Sequence, residues 1–163
     1  MVVASTIQDT AMDFRFRSDI GRISIAADRI MHLVEESRCV LGQEIEVELA
    51  LREALNNAVM HGNHMDPDKW VYVRCRCAPD DGVSIVVQDE GEGFDPDMLP
   101  HAPFREGTSS GCGTGLLIMR SYMDEVSFEK RGTEVHLRKA PAIARPSSSQ
   151  PTWPEGQGIL SPW

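Results

Sequence analysis

Glu53-Ala-Leu-Asn-Asn57-Ala-Val-Met-His61-Gly62-Asn63 is the stretch whose reading decides the fold. Glu53, Asn57 and His61 recur every fourth residue, which on an α-helix places them on one stripe at about 6 Å per step. Leu51, Ala54, Leu55, Ala58 and Val59 cover the other side and supply a core face. The polar face is short-chained, where an ordinary solvent face would carry Lys, Arg and Glu. Asn57 sits too deep to be the helix N-cap, and asparagine is a poor interior helix former. Its amide oxygen is a neutral hard ligand suited to Mg2+ beside phosphate, and Glu53, one turn earlier, can take a proton from a hydroxyl or a water. Taken alone, Asn57 reads equally as a solvent-facing or capping amide, and Glu53 as a surface or ion-pair residue.

Two glycine-rich segments extend the pattern. Asp89-Glu-Gly91-Glu-Gly93 follows an alternating run, Val83 to Gln88, so a strand delivers Asp89 and both glycines to its carboxyl end. Asp89 is an acceptor only, which suits an exocyclic amino group such as adenine N6, and Gly91 and Gly93 permit close backbone approach. Gly111-Cys-Gly113-Thr-Gly115-Leu116 immediately precedes a helical stretch, where free N–H groups and the helix dipole favour phosphate. A capped turn and a ligand-free glycine turn are the plain alternatives for these two segments. Neither is a dinucleotide fingerprint, and no Gly-Lys-Ser/Thr of a Walker A loop occurs. Phosphate charge would fall to Mg2+, backbone N–H groups and an arginine such as Arg105.

Around these segments the chain divides into a leader over 1–10, a folded domain over 11–140 and a Pro/Ser-rich tail over 141–163 that lacks an apolar period. Met12 to Phe16 alternates as an edge strand. Ile23, Ala26, Ala27, Ile30, Leu33 and Val34 predict a helix from about Ser24 to Leu41 with Gly42 as its stop, and a second helix runs from about Glu44 to His61. Trp70 to Cys77 is a strand with Val71, Val73, Cys75 and Cys77 on one face, and Asp80-Asp81-Gly82 is a hairpin turn. Residues 94–112 form a long connection read as a mobile lid. Thr114 to Met123 reads as a helix, and strands follow on either side of Gly132-Thr133. Trp153 and Trp163 are the tail's candidate docking anchors.

One domain of this length buries roughly two thirds of its extended surface. The net charge of −9, from 16 Lys and Arg against 25 Asp and Glu, opposes binding to nucleic acid or to an anionic membrane. No run of eighteen apolar residues and no signal-peptide pattern occurs, which points to the cytoplasm. Cys39, Cys75, Cys77 and Cys112 lack metal-site spacing, so Cys75 and Cys77 read as buried thiols.

Together the three segments resemble the N, G1 and G2 boxes of the histidine-kinase-like ATPase superfamily, and within it the anti-sigma-factor serine kinases of the RsbW and SpoIIAB type. The resemblance is carried by Glu53-x-x-x-Asn57-x-x-x-His61-Gly62, Asp89-x-Gly91-x-Gly93 and Gly113-Thr-Gly115-Leu-Leu-Ile-Met-Arg-Ser-Tyr-Met-Asp124-Glu125-Val126, over roughly residues 12 to 139. It implies an α/β two-layer sandwich of the Bergerat type, with a mixed, mainly antiparallel sheet and helices on one face. It further implies ATP and Mg2+ as cofactors, Glu53 as general base, Asn57 as Mg2+ ligand, and Asp89 as adenine acceptor supported by Thr133. His61, Gly91, Gly93, Arg105, Gly111, Gly113, Thr114, Gly115 and Leu116 complete the implied nucleotide site. No phosphoacceptor-His helix precedes the boxes, so a sensor histidine kinase is not expected. The implied activity is phosphorylation of a serine on a STAS-type antagonist protein, with a sigma factor as second partner and a homodimer as the assembly. Arg22, Arg29 and Arg38 on the first helix are candidate contacts for an acidic partner. The alternative is a protein-interaction module that uses ATP only as a conformational ligand.

Overall fold

The computed structural model describes residues 10–94 and 112–141. The expected leader, lid and tail fall outside these apart from their end residues, and with them Arg105, Gly111, Trp153 and Trp163. The elements in chain order are β1 (Thr10–Arg17), α1 (Ile20–Ser37), α2 (Glu44–Asn56), β2 (Trp70–Ala78), β3 (Gly82–Gln88), α3 (Cys112–Tyr122), β4 (Glu125–Glu129) and β5 (Glu134–Lys139). The sheet order is β1-β2-β3-β5-β4. All of its pairings are antiparallel, so β5 inserts between β3 and the edge strand β4.

Alternation makes this sheet two-faced. Val71, Val73, Cys75 and Cys77 of β2, Ile85 and Val87 of β3, and Val135 and Leu137 of β5 are buried on one side. The opposite side is polar, with rows such as Arg76, Ser84, Arg138 and Glu125 in cross-strand register. The apolar side is covered by α1 against β1 and β2 and by α2 against β3 and β5, with α3 packed on α2. This is the expected two-layer α/β sandwich. Lys139 ties the layers together: its Nζ donates to Tyr122 O at the end of α3 at 2.6 Å and pairs with Glu46 of α2 at 2.5 Å.

Helix α1 begins and ends earlier than its apolar period indicates. Asp19 caps it by accepting Gly21 N–H at 2.8 Å, a cap signal that the apolar stripe does not contain. It stops at Ser37 because Arg38 turns left-handed at φ 54°, which lets Cys39 and Val40 go into the core. Gly42 is left-handed as well, but outside the helix.

The second helix departs from expectation at its functional end. Regular α geometry ends at Asn56, and Asn57–Gly62 form one turn of π-helix. Asn63 N–H donates to Ala58 O, five residues back, at 2.8 Å. The wider turn breaks the strict fourfold stripe, and π-turns within helices are frequent at functional sites. α3 starts at Cys112, so Gly113, Thr114 and Gly115 belong to its first turn rather than to a loop ahead of it.

Candidate functional site

The π-turn, the end of β3, the turn before β5 and the start of α3 meet around a cleft of about 430 Å³, within the usual range for a small-molecule site. Its apolar walls include Val87, Leu116, Met119, Phe128 and Val135, while Asn57, His61, Asp89 and Thr133 supply polar atoms. Asn57, His61, Asp89, Gly93, Leu116 and Thr133 thus converge on one cavity from segments far apart in the chain, while Gly91, Thr114 and Gly115 lie outside its lining.

Asp89 sits at the end of β3 because the sheet continues past it: its N–H donates to Thr133 O at 2.9 Å. Its Oδ1 accepts Gly91 N–H at 2.8 Å, which closes the turn. Burial pushes the Asp89 carboxyl above the usual carboxylate value, against the opposing pull of the Gly91 N–H and of the charges on Lys69 and His64. Nothing larger than hydrogen fits at Gly62, since a Cβ there would run into the Asp89 carboxylate. Gly91 is packed equally closely on the Gly62 carbonyl, and Gly93, at φ 77°, on the Arg131 carbonyl. The glycines therefore serve to interlock three backbone segments.

Glu53 is not part of the cleft lining. It stands one turn before Asn57, facing the start of α3, where a Cβ on Gly115 would lie 2.7 Å from Glu53 Oε2 and 3.4 Å from Asn57 Nδ2. Among the described residues no hydrogen bond engages the side chain of Glu53 or Asn57, so both polar ends are available where the free amides of the α3 N-terminus begin. A carboxylate, an amide and N-terminal amides in one corner suit an anion with a bound cation and an acid–base step beside it. Asn57 thus meets the requirement for a neutral oxygen ligand to Mg2+. Thr114 is exposed on the first turn of α3, and Leu116 is buried behind it. Thr133 lines the cleft while its Oγ1 donates to Lys130 O at 3.0 Å.

Several site residues carry no strong sequence signal. Asn63 reads as a helix stop, yet it is fully buried, with Nδ2 donating to Trp70 O at 2.9 Å and Oδ1 accepting Glu90 N–H at 2.8 Å. It fastens the π-turn to β2 and to the Asp89 turn at once. His64 lines the cleft in a left-handed conformation, φ 55°. Phe94 packs its ring against Gly132 and edge-on to Phe128, with centroids 5.3 Å apart. The short glycine-separated pattern after Asp89 was the available pointer to Phe94; the apolar walls come from ordinary core alternation and are visible only once the elements are assembled.

Comparison with known proteins agrees with this geometry. Residues 16–139 match the family model described as histidine kinase-like ATPase domain. The anti-sigma F factor of Heyndrickxia coagulans is 29% identical over 137 residues, covering 81% of this chain and 93% of its own. That of Geobacillus stearothermophilus is 33% identical over 137 residues, with 79% and 90% covered. That of Oceanobacillus iheyensis is 30% identical over 133 residues, with 78% and 90% covered. The chain belongs to the histidine kinase-like ATPase family, in the group that includes the anti-sigma F factors.

Proposed function

We propose that this protein is an ATP-dependent serine/threonine protein kinase and anti-sigma regulator of the cytoplasm, which phosphorylates a serine on a STAS-type antagonist protein and holds a sigma factor as its other partner. The observation that carries this reading is the corner where Glu53 and Asn57 face the first turn of α3 beside a cleft headed by Asp89. A merely nucleotide-sensing module needs Asp89 and the glycines, but it has no use for a carboxylate next to the phosphate end that finds no hydrogen-bond partner among the described residues. The anti-sigma F factor names of its relatives support the choice of partners.

In this reading Asp89 accepts the adenine amino group, Thr133 supports it, and the apolar walls exclude water from the base. Gly113, Thr114 and Gly115 present amides to the phosphates, and Gly111 and Arg105, outside the described residues, are proposed as further phosphate contacts. Asn57, with His61 nearby, would hold Mg2+, which when bound would supply neutralisation of the phosphate charge. Glu53 orients the attacking serine hydroxyl and takes its proton, a role worth about 10²- to 10⁴-fold in general-base catalysis. Residues 11–140 form the catalytic domain, the active assembly is a homodimer, and α1 contributes to the partner surface. On that helix Arg22 is loosely paired with Asp19 at 4.0 Å and Arg29 stacks on Phe14 at 4.3 Å.

The test is incubation of the full chain with γ-labelled ATP, Mg2+ and STAS proteins encoded near it. Label on a serine of one of them is the expected result. Tight ATP binding with no transfer to any candidate would replace the kinase by the interaction module.

A further inference from the structure

We propose that Lys130 and Glu134, which lie on the open side of the sheet outside the cleft, are positioning residues for its far wall. Their ion pair holds the turn Lys130–Gly132 in the conformation that sets Phe94, Gly132 and Thr133 around a bound nucleotide. The proposal rests on the nucleotide reading above and assigns it a control point that none of the three boxes contains.

The turn requires a hold. Lys130, Arg131 and Gly132 follow one another at φ 50°, 57° and 83°, and residues with side chains adopt this left-handed region reluctantly, rarely in succession. Lys130 Nζ donates to Glu134 Oε2 at 2.7 Å and to Gln88 Oε1 at 2.9 Å. Gln88 and Glu134 are direct cross-strand partners, so β3 and β5 both anchor the lysine. Glu134 is a firm anchor. Its side chain is only 3% exposed, and His136 Nε2 lies 2.9 Å from its other oxygen. Burial alone would raise the Glu134 carboxyl, but the hydrogen bonds and charges of Lys130 and His136 outweigh it and hold it below its ordinary value.

The far side of the same turn carries the wall. Arg131 O accepts Phe94 N–H at 2.8 Å and Thr133 O accepts Asp89 N–H at 2.9 Å. The Phe94 ring lies so close to Gly132 that a Cβ would stand 2.6 Å from it. One rigid turn therefore runs from the ion pair to the aromatic wall and to the residue that faces the base. Glu129, Glu134 and His136 also bring three donor atoms within 4.8 Å of one another. With Lys130 and Arg74 already on the Glu134 carboxylate, that cluster is an ion-pair network rather than a cation site.

The experiment titrates the full chain and its Lys130→Met, Lys130→Arg and Gln88→Leu variants with Mg-ATP by calorimetry, alongside hydrogen exchange at the Phe94 amide and thermal melting. Lys130→Met is expected to bind about tenfold more weakly, equivalent to about 1.4 kcal/mol, and to exchange Phe94 faster while α1 keeps its protection. Lys130→Arg should restore most of both, and Gln88→Leu should fall between, which keeps a readout if Lys130→Met folds poorly. Wild-type affinity and wild-type Phe94 protection in Lys130→Met overturn the proposal, as does a lowered melting temperature with both unchanged. Failure of the wild type to bind Mg-ATP is a separate result, which removes the nucleotide reading and the proposal with it.

Discussion

Gly62 and Asp89 compete for one space, and the site exists because Gly62 yields it. Asp89 cannot retreat, being fixed by its N–H on Thr133 O and by Gly91 N–H on its Oδ1. Gly62→Ala is therefore expected to cost about 1–3 kcal/mol, the range for overpacking, and to weaken ATP binding; wild-type melting and affinity would show that Asp89 has room to move. The two buried carboxyls have opposite pH signatures. Asp89 is raised by burial, so the native state binds the extra proton, and stability falls as pH rises from the ordinary aspartate value through the raised one. In the nucleotide-free protein, Asp89→Asn should gain on the wild type across that window and hold its advantage above it. Glu134 is lowered, so its contribution is complete above the ordinary glutamate value and is lost as pH falls through the lowered one. The gap between wild type and Glu134→Gln in denaturant melts should shrink on that acid side alone. At this scale Asp89, Asn57 and the glycines were legible because their chemistry is unusual for where they fall in the pattern. Glu134 and Lys130 were not, because charged residues on an alternating strand look the same whether solvated or interlocked.

The turn Asn57–Gly62 is where element and function join. A regular α-helix through His61 would keep the fourfold stripe; the π-turn instead widens the exit and lets Asn63 enter the core to bond Trp70 O and Glu90 N–H. Removing the amide leaves two backbone groups without partners at about 1–3 kcal/mol each. Asn63→Ala should thus lose about 2–6 kcal/mol in equilibrium unfolding, and a loss within experimental error would contradict its role as the fastener. Periodicity located the helix but could not show the π-turn, since six residues do not distinguish 3.6 from a slightly wider repeat. Helix α1 was shifted for a related reason: its apolar stripe runs on into Cys39 and Val40, which reach the core only after Arg38 has left the helix.

For the whole molecule, alternation in β2 and β3 and two amphipathic helices were legible as elements with core faces, while their assembly into a two-layer sandwich was given by the resemblance of the three glycine- and asparagine-bearing segments. The strand order β3-β5-β4 could not be read locally, because β5 pairs across a connection that contains α3. That insertion brings Thr133 beside Asp89 and so completes the cleft. The proposed mechanism divides chemistry and binding between Glu53 and the rest of this assembly, and one measurement separates them: single-turnover transfer of phosphate from Mg-ATP to the cognate serine protein by Glu53→Gln, with ATP affinity measured in parallel. Glutamine keeps the shape beside Gly115 but cannot act as the base. The account predicts near wild-type affinity with transfer slowed about 10²- to 10⁴-fold; transfer at the wild-type rate would contradict it.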